Sequence, residues 1–323
     1  MNNLIFICGH RKSGTTVFHN LFDGHPDLVV YPSDLNLLYA YFPVYLSGEY
    51  SDEVCKKRLV KVLFSDLNEQ LSANNIPIIL DMDLYQELFF QKLNGDFLNI
   101  IKIIESLAQA FLSVIGKESA KLVLKETSIE IYMQEILEWF PDAKILHLIR
   151  DPRDNYASLK SGVSKYYSKL GENEKETLAS LIFRTRIGMK MGLLNKALFG
   201  EGKYKFVKYE DLIEKTMKTM QDVALFLDIP FTDVLCSPTR LGSTVIGNNF
   251  EGEIFSKVDN KNVGRWSERI HKEEAMIIEF NLSEFMSFFH YDLEYLPVES
   301  GRAAAEFYKW ENYRFFFKDR FVE

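Results

Sequence analysis

Leu4-Ile5-Phe6-Ile7-Cys8-Gly9-His10-Arg11-Lys12-Ser13-Gly14-Thr15-Thr16 joins an apolar run to a glycine-flanked loop and then to a helical pattern. Gly9 and Gly14 stand at the glycine spacing of a phosphate-binding loop. In the nucleotide-hydrolysing form of that loop a lysine follows the second glycine and reaches the β- and γ-phosphates. Here Thr15 holds that place, and the lysine, Lys12, lies inside the loop. Glycines let backbone N–H groups converge, and a following helix offers its positive end, so the loop suits an anion. It does not look built for hydrolysing a triphosphate.

Outward from this loop, short apolar runs alternate with helical patterns, the pattern of an α/β fold with a central parallel sheet flanked by helices. The expected strands are Leu4–Cys8, Leu28–Tyr31, Leu122–Lys125, Ile145–Ile149 and Tyr204–Lys208. Helices are expected from Thr15, Ser128, Asp151, Lys175, Glu210 and Lys272. Residues 34–116 read as a mostly helical insertion, and Phe231 to Gly264 as irregular chain rich in turn residues. No internal repeat or low-complexity linker interrupts the chain, so one domain over residues 1–323 is expected. In such a sheet ligands sit at the carboxyl ends of the strands, which puts the Gly9 loop, Glu126 and Arg150 on one rim.

With 323 residues, 47% of them hydrophobic and 26% charged, the chain can bury a substantial core. A net charge of −8 argues against a nucleic-acid partner. Cys8, Cys55 and Cys236 are too few and too far apart for a disulfide framework or zinc site, and no carboxylate cage suggests a metal. Phe97 to Gly116 carries Lys102, Glu105 and Gln109 at helical spacing, so it reads as an amphipathic core helix and not a membrane span. A cytoplasmic location is the resulting expectation.

Three further segments bear on chemistry. In His147-Leu148-Ile149-Arg150-Asp151-Pro152-Arg153-Asp154-Asn155-Tyr156-Ala157-Ser158 a strand ends at a charge, and Pro152 suits a first helical turn. Arg150 and Ser158 could then face one anionic group together. Phe206-Val207-Lys208-Tyr209-Glu210-Asp211-Leu212 is again a strand entering a helix, with ordinary first-turn acids. Asn262-Val263-Gly264-Arg265-Trp266 offers a glycine hinge, a cation and an aromatic; its plainest reading is a loop anchored by a buried tryptophan.

Together these four pieces resemble the sulfotransferases that use 3′-phosphoadenosine 5′-phosphosulfate (PAPS), with the P-loop NTPase-like fold of that family, and are closest in pattern to its carbohydrate and tyrosylprotein types. The resemblance implies that Lys12-Ser13-Gly14-Thr15-Thr16 binds the 5′-phosphosulfate, with Arg11 and loop amides on the remaining oxygens. It implies that Arg150 and Ser158 grip the 3′-phosphate, that Tyr209 lies near the adenine, and that Gly264, Arg265 and Trp266 cover the nucleotide. Lys12 would stabilise the charge that develops as the S–O bond breaks, by in-line displacement and without a metal. Adenosine 3′,5′-bisphosphate would be the nucleotide product.

The attacking hydroxyl needs a base within hydrogen-bond reach. Glu126, after the third strand, and Asp34, after the second and downstream of His25-Pro26-Asp27, are equal candidates for it; either could instead pair with Lys125. His10 is a weaker candidate, and His25 suits a turn before Pro26. The acceptor is expected to be a small molecule or saccharide, with a sugar hydroxyl favoured and phenolic or lipid-like alcohols open. Residues 300–323 form an aromatic C-terminal helix pattern, read as docked on the protein's own core or, alternatively, as a homodimer contact. The alternatives to sulfuryl transfer are a small-molecule kinase or NTPase with a degenerate P-loop, and a non-catalytic nucleotide-binding relative.

Overall fold

A computed structural model describes residues 4–42, 44–73, 80–244 and 260–321. The chain runs through β1 (Leu4–Cys8), α1 (Thr15–Asn20) and β2 (Leu28–Asp34) into helices α2 (Leu37–Ala40), α3 (Asp52–Val60), α4 (Asp66–Ala73), α5 (Met82–Leu93) and α6 (Ile100–Ile115). It returns through β3 (Lys121–Lys125), α7 (Met133–Trp139), β4 (Lys144–Ile149), α8 (Pro152–Val163), α9 (Glu174–Phe199) and β5 (Tyr204–Lys208). It continues through α10 (Tyr209–Glu214), α11 (Thr216–Leu227), α12 (Trp266–Arg269), α13 (Lys272–Phe288) and α14 (Pro297–Phe321). Strands pair in the order β2-β3-β1-β4-β5, every neighbour parallel.

Both faces of this sheet are covered, which is why its strands read as unbroken apolar runs and not as alternation. Leu4, Phe6, Leu122 and Leu124 face the insertion helices, whose Leu59, Phe89, Leu107 and Phe111 complete that layer. Ile5, Ile7, Val123 and Leu148 face the other way, onto α1, α10 and α11. A third cluster joins Ile149 and Tyr156 to α9, α13 and Phe307 of α14.

The strand order has a consequence for ligand binding. From β1 the chain crosses over β3 to β2, whereas from β4 it moves the opposite way to β5. The connections therefore diverge between β1 and β4, and a crevice opens at the carboxyl ends of these two strands. Cys8 pairs with His147 there, so the Gly9 loop and Arg150 emerge side by side.

Every expected strand is present, with small differences at the ends. The second continues past Tyr31 to Asp34 through a register irregularity that sets Asp34 opposite Lys125. The helix expected from Ser128 starts later: Ser128 adopts φ 62, its N–H bonds the Gly9 carbonyl at 2.9 Å, and α7 follows only after a turn of 3₁₀ helix. That residue braces the loop instead of starting a helix. The amphipathic reading of Phe97 to Gly116 agrees with α6, capped by the Asn99 side chain and by Gly116 at φ 70. No helix among the described residues is long and apolar enough to cross a membrane. Within the irregular segment Phe231 to Gly264 a 3₁₀ turn and a short hairpin form, and 245–259 lie outside the described residues.

Candidate active site

The loop between β1 and α1 owes its shape to its glycines. Gly9 has φ 147, and a Cβ there would lie 2.4 Å from the Leu148 carbonyl oxygen. Gly14 has φ 100, and a Cβ there would lie 2.4 Å from the Tyr209 ring. Both positions thus exclude a side chain by conformation and by contact. Lys12 between them also takes a left-handed conformation, φ 64, and burial lowers its pKa from the ordinary lysine value. The Ser13 N–H closes a tight turn on the His10 carbonyl at 3.0 Å.

Arg150, at the end of β4, ties the crevice together. Its Nη1 donates to the Lys12 carbonyl at 3.0 Å and to Ser158 Oγ at 3.1 Å, and its Nη2 donates to the Asn262 carbonyl at 2.6 Å. The guanidinium lies 4.5 Å from the centre of the Tyr209 ring. Asp151 caps α8 by accepting the Arg153 N–H at 2.8 Å, so the helix begins where it brings Ser158 back to Arg150.

Across the crevice, on the β2–β3 side, stand two carboxylates with different surroundings. Glu126 is only 2% exposed, and it accepts the N–H groups of Leu37, Leu38 and Tyr39 at 3.1, 3.2 and 3.1 Å. Burial pushes its pKa up to about 7 against the pull of those backbone bonds. Asp34 has its side chain 32% exposed, with Oδ2 2.7 Å from Lys125 Nζ. Its Oδ1 has no hydrogen-bond partner.

A profile of the sulfotransferase family matches residues 4–233, which spans the loop, Arg150, Ser158 and both carboxylates. The chain belongs to the sulfotransferase family. A Caenorhabditis briggsae protein, provisionally named a protein-tyrosine sulfotransferase, is 22% identical over 96% of this chain and 97% of its own length. Rat carbohydrate sulfotransferase 3 is 28% identical over 28% of this chain and 21% of its own. In three dimensions this sulfotransferase-family chain resembles the sulfotransferase domain of the Synechococcus PCC 7002 olefin synthase, with a TM-score of 0.59 at 21% identity, covering 91% and 96% of the two chains. The sulfotransferase domain from the curacin biosynthetic pathway gives a TM-score of 0.61 at 19% identity, covering 91% and 99%.

The sulfotransferase fold brings Lys12, Ser13, Gly14, Thr15, Thr16, Arg150 and Ser158 together at the β1/β4 crevice. It treats three other expected residues differently. Arg11 turns its guanidinium to Glu172, at 3.1 Å for one bond, and stacks 4.6 Å from the centre of Tyr167, while its Nε is buried without a partner. Tyr209 is 7% exposed beneath Gly14 and Arg150, where it shapes the loop. Trp266 is buried under Arg153, 4.3 Å from its guanidinium, whereas Gly264 and Arg265 stay exposed. His10 is held neutral: burial lowers its pKa to about 3, and Nδ1 lies 2.9 Å from Asn155 Oδ1 and 3.0 Å from the Arg11 carbonyl. His25 makes the turn before Pro26, with Nδ1 accepting the Asp27 N–H at 3.2 Å.

Two supports escaped sequence reasoning. Glu210 accepts the Asp151 N–H at 2.9 Å and the Tyr291 hydroxyl at 2.8 Å, which ties the first turn of α10 to the start of α8 and to the chain beyond α13. Glu130 lies buried behind the loop, its pKa pushed up to about 7 by burial despite a hydrogen bond from the Gly9 backbone. Its Oε1 is 3.6 Å from His147 Nε2, and His147 Nδ1 is 2.8 Å from the Tyr204 hydroxyl. Cys8, Glu130 and His147 offer ligand atoms within 4.8 Å of one another, one short of a four-ligand structural zinc shell. A run such as Tyr209-Glu210-Asp211 reads as generic helix-start acids, so no local pattern marks Glu210 as a brace.

Proposed function

We propose that the protein is a PAPS-dependent sulfotransferase that moves a sulfuryl group to an acceptor hydroxyl by in-line displacement. The observation that carries this reading is Arg150 Nη1 bonded at once to the Lys12 carbonyl and to Ser158 Oγ, which joins the loop and the helix into one anion cradle. The residues fit the donor. Ser13 Oγ and Arg150 Nε are buried polar atoms without partners beside the loop, and the guanidinium fork suits a phosphate. PAPS supplies an activated sulfuryl group. Lys12 would sit by the leaving oxygen, and its partly desolvated ammonium would stabilise the negative charge that grows there.

We assign the base to Asp34. Both oxygens of Glu126 are occupied by the first turn of α2, so that carboxylate holds the insertion in place. Asp34 is the more accessible of the two carboxylates: its half-buried side chain is oriented by Lys125 through Oδ2, and its Oδ1, sheltered from solvent, has no hydrogen-bond partner and is free to receive a proton. The acceptor hydroxyl belongs to a saccharide or a tyrosyl side chain. A sugar is favoured by the motif pattern, and a protein tyrosine by the name of the relative that matches at full length.

Calorimetry with adenosine 3′,5′-bisphosphate tests the nucleotide half of the proposal. Binding should be far tighter than that of AMP, and Arg150→Ala should lose about 2–3 kcal/mol, roughly a 30- to 150-fold weakening. Equal affinity for the two nucleotides would overturn it, and Mg²⁺-dependent ATP binding would favour a kinase instead. A screen of saccharides and tyrosyl peptides with labelled PAPS then decides the acceptor.

A further inference from the structure

Asp154 sits in the first turn of α8, four residues after Arg150, and is 2% exposed. An acid in a first helical turn ordinarily serves the helix dipole from the surface. This one does not, because Asp151 already caps α8 and the Asp154 carboxylate is spent on another segment. Its Oδ2 accepts the Gly264 N–H at 2.6 Å, and the Trp266 backbone N–H bonds the same group. Its Oδ1 is buried without a partner.

The junction of β4 and α8 holds this segment at two more points. Arg150 Nη2 donates to the Asn262 carbonyl at 2.6 Å. Arg153 lies against the Trp266 ring, itself fixed by Asp151 at 2.7 Å and Glu279 at 2.6 Å. Residues 262–266 therefore form a strap laid over the first turn of α8, next to the guanidinium that would take a phosphate.

The three tethers are not equivalent. An anion at Arg150 would meet the unpartnered Nε and could compete for Nη2 only with the Asn262 carbonyl, so this is the tether open to displacement. The Asp154 bonds to Gly264 and Trp266 use donors that no anion at Arg150 requires. They give the strap a pivot about which Asn262 can move aside without the cover coming away. Buried bonds from backbone N–H to a carboxylate are among the stronger neutral-to-charged contacts, so this pivot is the stable one.

We propose that Asp154 is a positioning residue that pins the strap 262–266 over the anion site and sets how long the nucleotide stays bound. The residence-time part rests on the nucleotide reading above; the tether itself does not. Amide exchange on the ligand-free chain and stopped-flow release of a fluorescent adenosine 3′,5′-bisphosphate test the two parts separately. In Asp154→Ala the Gly264 and Trp266 amides should lose protection, and release should quicken at least about 10-fold with association changed less than about 2-fold. Asp154→Asn keeps the shape and one carbonyl acceptor, so it should fold as wild type and show a smaller increase in release. Unchanged strap protection in both variants would overturn the tether. Lost protection with unchanged release would overturn the control of residence time. Failure of the wild-type chain to bind the bisphosphate would overturn the nucleotide reading and the residence-time claim, while the exchange result would still decide the tether.

Discussion

The two sides of the crevice are built on opposite plans. On the β1/β4 side the polar groups are bound to each other: Arg150 touches the loop, Ser158 and the strap, and Asp154 and Glu210 hold the segments around it. On the β2/β3 side one carboxylate is consumed by backbone N–H groups and the other keeps a spare oxygen. A site for a fixed, multiply charged nucleotide gains from preorganised donors that need not reorient when it binds. A base must instead retain a lone pair and room for an acceptor. The anion side is accordingly a largely preorganised network that leaves Ser13 Oγ and Arg150 Nε for a ligand, and the acceptor side leaves one carboxylate oxygen, Asp34 Oδ1, without a partner.

Asp34→Asn is the substitution that would break this contrast most sharply. If Asp34 takes the acceptor proton, turnover should fall about 10²- to 10⁴-fold while the affinity for adenosine 3′,5′-bisphosphate stays within about 2-fold. A variant that retains near-normal turnover would remove Asp34 from the chemistry and return Glu126 to contention. Because Asp34 also pairs with Lys125, a thermal melt must accompany the kinetics, and a large loss of stability would mark the pair as structural.

Glu126→Gln should show the reverse order of effects. An amide at this position can accept from the α2 backbone with its oxygen only, and its NH₂ would meet donors that need an acceptor. Leaving one or two buried donors unsatisfied costs about 1–3 kcal/mol, which should appear as a lowered denaturant midpoint. Residual turnover in the folded fraction should stay close to wild type. A stable variant with abolished turnover would sink the division of labour argued above.

This asymmetry also explains what was legible in the sequence. The strands, the Gly9 loop and the Arg150/Ser158 pair announce themselves because each is a local pattern: a run, a glycine spacing, a strand followed by two helical turns. The irregularity that carries β2 to Asp34 is fixed by a tertiary pairing with Lys125, ninety-odd residues away in sequence, and no local signal marks it. The same holds for Glu126. Its role depends on α2, a four-residue helix too short to read from periodicity, arriving with three N–H groups pointed at it. Arg11 is the opposite case. Its place in the loop suggests an oxygen ligand, and only the fold brings Glu172 and Tyr167 to claim it.

A subtler effect separates the two sides by pH. Glu126 has its folded pKa raised to about 7 from an ordinary 4.5, so between those values the folded state holds a proton that the unfolded state has lost. Its contribution therefore makes stability fall as pH rises from about 4.5 to 7, and is flat above that. His10 is lowered to about 3 from 6.5, so over about pH 3 to 6.5 the unfolded state binds the extra proton. Its contribution makes stability rise with pH across that window. The two opposing slopes nearly mask each other in the wild type, and substitution exposes them. Between pH 5 and pH 7, Glu126→Gln should gain stability relative to its own value at pH 5 by about 2 kcal/mol more than wild type does. His10→Gln should gain about 2 kcal/mol less, since Gln removes the histidine's contribution without placing a charge beside Asn155. Denaturant midpoints at the two pH values measure both differences. Parallel curves for wild type and Glu126→Gln would mean that the carboxyl is already ionised in the fold at pH 5, satisfied entirely by its three backbone donors.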